Sequence, residues 1–312
     1  NNRYVLDYYL NYKKSFGKHD VDFTAGHTYE SNSIKSWFSE TRFTDGSLTT
    51  GSVPNSTVTE LNLSSYFGRL NYTFDQKYLL TGTIRADASS RFAPETRWGY
   101  FPSAAFAWKV NEESFLKDVK AINELKFRIS YGVTGQQNID NVYAYQATYY
   151  ASTNNYMYRE GDTFYTTYKP AAFDRSIKWE TTNTFNVGLD CALFNNRVYG
   201  ALDVYSRYTS NLLMHDVKVA AGSNFAESLD QNIGEMSSRG VEFAIGFAAI
   251  KKKDISWNLN FNFAYNASKI ERLTVYDGSP ESTFVNAGSS GSSRYVQFQK
   301  VGNTPYTFYL AK

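Results

Sequence analysis

The residues best suited to enzyme chemistry are few, and their spacing matches no catalytic or metal-binding pattern. The three histidines, His19, His27 and His215, have no metal-ligand spacing. The sequence holds no Gly-x-Ser-x-Gly elbow and no glycine-rich phosphate loop. The single cysteine, Cys191, falls on an apolar stripe, where a thiol usually acts as a small hydrophobic group. The sequence therefore predicts a protein that is not an enzyme, with no metal site and no cofactor.

Aromatic contact is the chemistry that the sequence favours. Segment 141–168 holds eight tyrosines in 28 residues and is too long for a simple turn. Flat aromatic rings stack on sugars or peptide side chains and also anchor protein interfaces. The candidates for contact with a substrate or a partner are Tyr143, Tyr145, Tyr149, Tyr150, Tyr156, Tyr158 and Tyr165. A structural alternative stays open, in which the segment continues the strands above a membrane and packs on itself.

A second candidate for such contact is a shorter stretch nearer the start of the chain. Trp37 and Phe38 stand in a segment that we expect to form a loop.

The elements that position these residues are strands, because apolar side chains recur with a period of two. From Ile255 to Ala267 every odd position is apolar, and most even positions carry Ser or Asn. No helical period matches seven consecutive apolar positions of this kind. The alternation predicts ten strands, over 3–13, 19–30, 61–74, 77–87, 99–110, 124–134, 179–194, 197–209, 239–250 and 254–268.

The lengths of strands and connections indicate the fold class. Many strands exceed the usual length of about five or six residues and reach the roughly 9–11 that a tilted membrane strand needs. Short turns alternate with long polar loops, as in membrane barrels with periplasmic turns and extracellular loops. We therefore expect an all-β, antiparallel transmembrane β-barrel with long extracellular loops. A soluble β-sandwich or an extracellular carbohydrate-binding repeat is the alternative.

One short connection departs from this pattern. Residues 111–119 read as a short amphipathic helix on the periplasmic side, with Asn111 as its N-cap and Glu112 and Glu113 in its first turn.

Composition excludes several other classes. The net charge is +2, and no Lys/Arg cluster suggests nucleic acid as a partner. The longest apolar stretch, about 243–250, is far shorter than the roughly 20 residues of a helical membrane span. Aromatic residues make up 17% of the chain, with 26 tyrosines, and such residues favour strands and membrane interfaces. No signal peptide opens the chain, so we expect a mature or trimmed form.

From Ser65 onward the sequence resembles the SusC/RagA family of TonB-dependent transporters. The order and spacing of several blocks carry this resemblance, and they cover most of the chain. These blocks are Tyr66-Phe67-Gly68-Arg69-Leu70-Asn71-Tyr72, Arg97-Trp98-Gly99-Tyr100-Phe101-Pro102-Ser103, 125–136, Trp179-Glu180-Thr181-Thr182 and 232–243. One departure is Ala88 in Asp87-Ala88-Ser89-Ser90, where the family often has glycine.

The resemblance implies a barrel of about 22 strands in the bacterial outer membrane, in contact with the lipid bilayer. Residues 1–312 would then be one partial barrel domain, with the plug, the TonB box and the C-terminal strands absent. It also implies active import of oligosaccharides or peptides, driven by the TonB complex and assisted by a SusD-like surface lipoprotein. A passive porin or adhesin barrel is the first alternative, and a barrel-borne hydrolase is the second.

Overall fold

The computed structural model describes residues 1–38, 55–139, 141–151, 157–218, 226, 228–273, 285–289 and 295–308. The strands in these ranges, in chain order, are β1 Asn2–Phe16, β2 His19–Phe38, β3 Asn55–Phe74, β4 Tyr78–Ser89, β5 Trp98–Lys109, β6 Ile122–Gln136, β7 Tyr149–Ala151, β8 Tyr158–Glu160, β9 Thr163–Tyr165, β10 Tyr168–Pro170, β11 Glu180–Leu193, β12 Val198–Ser210, β13 Leu213–Lys218, β14 Ser228–Asn232, β15 Glu235–Lys251, β16 Ser256–Arg272, β17 Val285–Ser289, β18 Tyr295–Gln299 and β19 Thr307–Phe308.

Ten of these strands form one antiparallel sheet in the order β1-β2-β3-β4-β5-β6-β11-β12-β15-β16. Each of the ten matches one predicted strand, so the predicted all-β, antiparallel architecture is confirmed. The largest differences lie at the ends of β2 and β3, which pair from His19 with Phe74 as far as Phe38 with Asn55. These two strands therefore extend well beyond the length that a membrane crossing requires.

The register of the sheet gathers the apolar stripes onto one face. Residues directly opposite each other on paired strands share a face. A continuous series of such pairs runs from β2 to β16 through Val21, Tyr72, Leu80, Phe106, Ile129, Val187, Val204, Val241 and Tyr265. No layer of the described chain covers this face, and Leu10 is 80% exposed on it. The face is the outer surface, which lipid covers, and the soluble sandwich alternative is wrong.

The opposite face is polar and would line the barrel interior. Arg128 donates two hydrogen bonds of 2.8 and 2.9 Å to Asp190 and one of 3.0 Å to Asp203. Lys126 lies 2.9 Å from the same Asp190 carboxylate. The register also places on this face the polar residues that the alternation separates from the apolar stripes, namely Asp7, Arg69, Arg85, Asp87, Glu124, Lys126, Arg128 and Glu242.

Two rows of aromatic rings border the apolar face. The row near the short turns joins Phe16, His19, Phe74, Tyr78 and Trp108, with ring centroids 5.0–6.5 Å apart. The row near the long loops joins Tyr8, His27, Tyr66 and Trp98, with centroids 4.4–6.2 Å apart. His27 is eight positions after His19 on β2, which is about 26 Å along the strand. Such girdles mark the two interfaces of a membrane barrel.

The predicted periplasmic helix is wrong. Residues Val110–Glu112 form a 3₁₀ turn, and a series of turns follows as far as β6. Asn111 lies within that turn rather than capping a helix, and its side chain accepts a hydrogen bond from the backbone of Leu125. Glu113 is extended, because its carboxylate accepts hydrogen bonds from Tyr78 at 2.6 Å and Trp108 at 3.0 Å. The hydrogen bond from Tyr78 has the largest effect in lowering the pKa of the Glu113 carboxyl, and the hydrogen bond from Trp108 lowers it further.

Among the described residues there is no helix with the length and hydrophobicity of a membrane-spanning helix.

The meander places the turns of two to four residues and the 110–121 connection at one end of the sheet. The connections after β2, β4, β6 and β12 lie at the other end, and this arrangement predicts which residues can be labelled from outside the cell. In the whole protein with Cys191→Ala, a cysteine at Asp162 should react with a membrane-impermeant maleimide on intact cells. Asp162 is fully exposed in the longest connection. A cysteine at Lys252, in the short turn after β15, should react only after the cells are lysed. Labelling of Lys252→Cys on intact cells would reverse the orientation.

Candidate functional site

The extracellular end of the sheet carries a small hydrophobic core, which we name the loop clasp. It consists of the buried residues Phe92, Phe101, Ile139, Ala144, Ile177 and Trp179. Phe92 and Phe101 both pack on the ring of Trp179, at centroid distances of 5.4 and 5.3 Å. Phe101 belongs to the polar, inward face of β5, since it is paired with Arg85. The clasp therefore lies on the interior side of the barrel wall, where it joins the 90–97 connection to both ends of the 137–179 connection.

Polar contacts hold the same connections. The Trp179 indole donates to the carbonyl of Arg97 at 2.8 Å, and the Thr96 hydroxyl donates to that of Ile177 at 2.7 Å. Arg91 donates to the carbonyl of Ile139. Buried carbonyls that are paired in this way cost little free energy, whereas unpaired ones are expensive. The connections therefore have fixed bases.

Two glycines make room for the clasp. A Cβ atom on Gly135 would lie 2.1 Å from the ring of Phe101, and one on Gly99 would lie 2.5 Å from it. Both glycines belong to the sequence blocks that resemble the SusC/RagA family. Those blocks also supply Phe101 and Trp179, so part of the shared sequence builds the clasp.

An exposed ion pair also joins these two connections. Arg175 donates to the carboxylate of Glu95 at 3.0 Å. A backbone hydrogen bond, followed by that of Arg175, lowers the pKa of Glu95. Both side chains are exposed, so the pair contributes little to stability.

Two of the predicted contact tyrosines pack at the base of the segment. Tyr145 packs against the clasp, and its hydroxyl accepts a hydrogen bond from Gln146 at 2.7 Å. The hydroxyl of Tyr143 accepts a hydrogen bond from the backbone of Glu60 at 3.3 Å. Both are half-buried. Their surroundings favour the structural alternative for this part of segment 141–168.

The middle of the segment contains two nested pairs of short strands with exposed aromatic side chains. β7 pairs with β10, and β8 pairs with β9. The side chains of five aromatic residues are 50–68% exposed on these hairpins, namely Tyr149, Tyr158, Phe164, Tyr165 and Tyr168. Arg159 lies 5.5 Å over the ring of Phe164. We name these five residues the aromatic hairpins. Tyr150 belongs to β7, and Tyr156 lies outside the described residues.

The second candidate is placed differently from the prediction. Trp37 and Phe38 belong to strand β2 rather than to a loop, because β2 and β3 continue pairing as far as Asn55. Trp37 is 72% exposed, and the ammonium of Lys35 lies 4.1 Å over its ring. A ring held by a strand in this way remains available for contact.

The clasp is the part of the site that the sequence patterns did not reveal. Its members come from three segments separated by about 40 residues each, and no periodicity links them. The family-like blocks 97–103 and 179–182 are the signal that the sequence offered, since they supply Phe101 and Trp179.

Comparisons with known proteins agree with this geometry. Residues 1–309 match the family described as TonB dependent receptor-like, beta-barrel. The TonB-dependent receptor SusC of Bacteroides thetaiotaomicron is 41% identical over 99% of the chain, which spans 31% of SusC. The TonB-dependent receptor P3 of Formosa agariphila is 33% identical over 96% of the chain and 30% of that protein.

Solved structures show the same fold. The RagAB peptide transporter superposes with a TM-score of 0.78 and 26% identity over 97% of this chain and 33% of that one. The chain thus spans about one third of the length of the relatives it matches. The expected location in the bacterial outer membrane is confirmed. The chain belongs to the TonB dependent receptor-like, beta-barrel family.

Proposed function

We propose that the protein containing this chain imports oligosaccharides or peptides through the outer membrane, with energy supplied through TonB. The family match and the likeness to SusC support this, as does the likeness to RagAB, which is described as a peptide transporter. The uptake partners in this proposal are the TonB complex and a SusD-like surface lipoprotein.

We further propose that residues 1–312 are one part of a larger barrel. β1 and β16 stand at the two ends of the strand order. An open edge inside a membrane leaves backbone donors and acceptors unpaired, which is too costly in lipid. Additional strands beside β1 and β16 would satisfy these groups and close the barrel.

The recognition role is supported by the difference in exposure between the buried loop clasp and the exposed aromatic hairpins. The clasp fixes the base of the 137–179 connection on the interior side of the wall, while the aromatic hairpins stand exposed above it. Rigid aromatic groups lose little conformational entropy on binding, so a fixed base favours recognition. The aromatic hairpins are therefore the part of the segment that would contact substrate or the lipoprotein. Trp37 is a separate candidate, because its position on β2 belongs to the outer face of the sheet.

Alanine at Tyr149, Tyr158 and Tyr165 together should weaken uptake and leave barrel assembly intact. The loss should be concentrated, with one or two positions each costing more than roughly 2 kcal/mol of binding free energy. Growth on the cognate substrate and surface abundance on whole cells measure the two effects separately.

The matched control is alanine at Tyr143 and Tyr145, whose rings are half-buried at the base of the same segment. The main effect of this double substitution should be a loss of loop stability. Any loss of affinity for the substrate should follow from that loss. Normal uptake by the triple variant at normal abundance would show that the aromatic hairpins are structural.

The alternatives differ in their energy requirement and chemistry. A passive porin or an adhesin would work equally well in cells that lack TonB, whereas the proposed importer would not. A hydrolase would cleave its substrate, whereas the proposed importer would deliver it intact. The proposed function is transport without an enzymatic step. Uptake in a tonB deletion strain decides between import and passive passage.

A further inference from the structure

A second buried cluster, which we name the hairpin cluster, lies at the same end of the sheet as the loop clasp. It consists of Val217, Ile233, Ile270 and Leu273, with Met214 and Val301 packed against it. Val217 belongs to β13, which pairs with β14, and Ile233 directly follows β14. Ile270 belongs to β16. The hairpin cluster therefore anchors the β13–β14 hairpin to the end of β16.

The hairpin cluster and the loop clasp meet at neighbouring residues of one strand. Leu213 packs against the loop clasp, whereas the next residue, Met214, packs against the hairpin cluster. The backbone N–H of Leu213 also donates to the carboxylate of Glu180 at 2.9 Å. Glu180 directly follows the clasp residue Trp179. The start of β13 is therefore held by both clusters.

The side chain of Asn232, the last residue of β14, makes a further link with all of its hydrogen-bonding atoms. Its oxygen accepts a hydrogen bond from the backbone N–H of Lys178 at 2.7 Å, and its nitrogen donates to the carbonyl of Lys178 at 2.9 Å. The same nitrogen donates to the carbonyl of Asn211 at 2.7 Å. A side-chain amide offers an acceptor oxygen and two N–H donors, so both donors and the oxygen of Asn232 are used.

The link matters because of the residues on either side of it. Lys178 lies between Ile177 and Trp179, which are 0% and 6% exposed in the loop clasp. Asn232 lies directly before Ile233, which is buried in the hairpin cluster. One side chain therefore joins the backbone of the loop clasp to the backbone of the hairpin cluster. Opening of either cluster has to break these hydrogen bonds or to move the other cluster with it.

We propose that Asn232 is a positioning residue that couples the base of the aromatic hairpins to the β13–β14 hairpin, so that the two loops open and order together. Ordering of one loop on binding would then stabilise the other, since a loop that is already ordered loses less conformational entropy. The consequence for uptake rests on the proposed import function, whereas the coupling itself does not.

Amide hydrogen exchange of the whole transporter, purified in detergent, tests the coupling with Leu273→Ala as the perturbation. Leu273 is 1% exposed, and its truncation leaves a cavity in the hairpin cluster. With Asn232 in place, protection should fall about tenfold or more in 213–218 and also in 141–147. In the Asn232→Ala background, Leu273→Ala should still lower protection in 213–218, but its further effect on 141–147 should largely disappear.

Asn232→Asp separates hydrogen bonding from space filling. A carboxylate has nearly the shape of the amide and still accepts from the N–H of Lys178, but it cannot donate to the carbonyls of Lys178 and Asn211. It should therefore uncouple the two segments as alanine does. Gln231→Ala is the matched control on the same strand, because the amide of Gln231 makes no hydrogen bond in the part of the chain that the structure describes. It should leave the coupling intact.

Two results would overturn the coupling. The first is that Leu273→Ala leaves 141–147 unchanged in the wild-type background, or lowers its protection equally with and without Asn232. This part of the test gives an answer from Leu273→Ala alone when the disturbance does not spread, even if an Asn232 variant does not assemble. The second is wild-type protection of both segments in Asn232→Asp, which would mean that the side chain only fills space.

The coupling and the proposed function fail separately. Coupled exchange of the two segments in a protein without TonB-dependent uptake would leave the coupling standing and overturn import. TonB-dependent uptake with independent exchange of the two segments would leave import standing and overturn the coupling.

Discussion

Arginine at Phe261 should destabilise the assembled barrel by about 2–4 kcal/mol, whereas arginine at Asn262 should cost much less. Phe261 lies on the outer apolar face opposite Ile245 and is 57% exposed there. It stands four residues from Trp257 and four from Tyr265 on β16, so it is placed near the middle of the bilayer. A guanidinium at that depth has to leave water or distort the lipid around it.

Asn262 is the matched control because it is the next residue on the same strand and faces the interior. It is paired with Ala244, which leaves space for a longer side chain. Asn260 is less suitable, since it accepts a hydrogen bond from Tyr199 at 2.9 Å that the substitution would also remove. The comparison therefore isolates exposure to lipid, because the two residues lie at about the same depth on opposite faces of the sheet.

Urea unfolding of the whole protein in lipid vesicles gives the free energy of unfolding of both variants. Tryptophan fluorescence monitors the unfolding. Surface abundance in cells gives an independent reading. Equal destabilisation by Phe261→Arg and Asn262→Arg would mean that both faces meet similar surroundings, as in a soluble two-sided core. A larger cost at Asn262 would mean that the register of β16 is shifted by one residue, because such a shift exchanges the two faces.

The strands and their faces could be predicted because both follow from local alternation. The apolar stripe from Ile255 to Ala267 requires only that neighbouring residues point to opposite sides of the sheet. Once short turns force neighbouring strands to pair, the faces of all ten strands are fixed together. The series from Val21 to Tyr265 is the result of that rule applied to eight successive pairs of strands.

The predicted helix after β5 failed because side-chain contacts from other strands outweigh local propensity. Its apolar spacing and its acidic first turn fit a helix, but Glu113 is held by Tyr78 and Trp108. Tyr78 belongs to a strand 35 residues earlier in the chain. No local pattern contains such a contact. The position of Trp37 on a strand could not be predicted for a similar reason. β2 continues as far as Trp37 only because β3 is long enough to pair with it.

The candidate segment could be selected from the sequence but not divided into its parts. Tyrosine density marked 141–168 for contact with a substrate or a partner, which stays a prediction. It could not separate Tyr145, which packs on the clasp, from Tyr158, which is 61% exposed on a hairpin. That division depends on Phe92 and Trp179, which are 87 residues apart and meet only in three dimensions.

Alanine at Trp179 should open the loop clasp while the ten-stranded sheet remains assembled. Trp179 is 6% exposed, packs on Phe92 and Phe101, and donates to the carbonyl of Arg97. Its removal leaves a large cavity and an unpaired buried carbonyl, at a cost of about 3–5 kcal/mol. Because the clasp is small and local, this cost should appear as opening of the connections rather than as global unfolding.

Amide hydrogen exchange of the whole protein measures this opening. Protection in 90–97 and 137–147 should fall by on the order of a hundred- to a thousand-fold, at 1.4 kcal/mol for each factor of ten. Trp98→Ala is the matched control, because Trp98 lies on the outer face and is 43% exposed. It should leave protection in these connections unchanged.

Gly135→Ala tests the same clasp from its other side, since the added Cβ would overlap the ring of Phe101. Gly82→Ala adds the same atom where no neighbour lies within 4 Å, so it should be close to neutral for the clasp. If Trp179→Ala and Gly135→Ala both retain protection, the connections are held by something other than the clasp. If both lose protection and uptake falls with it, the aromatic hairpins work only on a fixed base, because an unfixed loop has to be ordered again each time it binds.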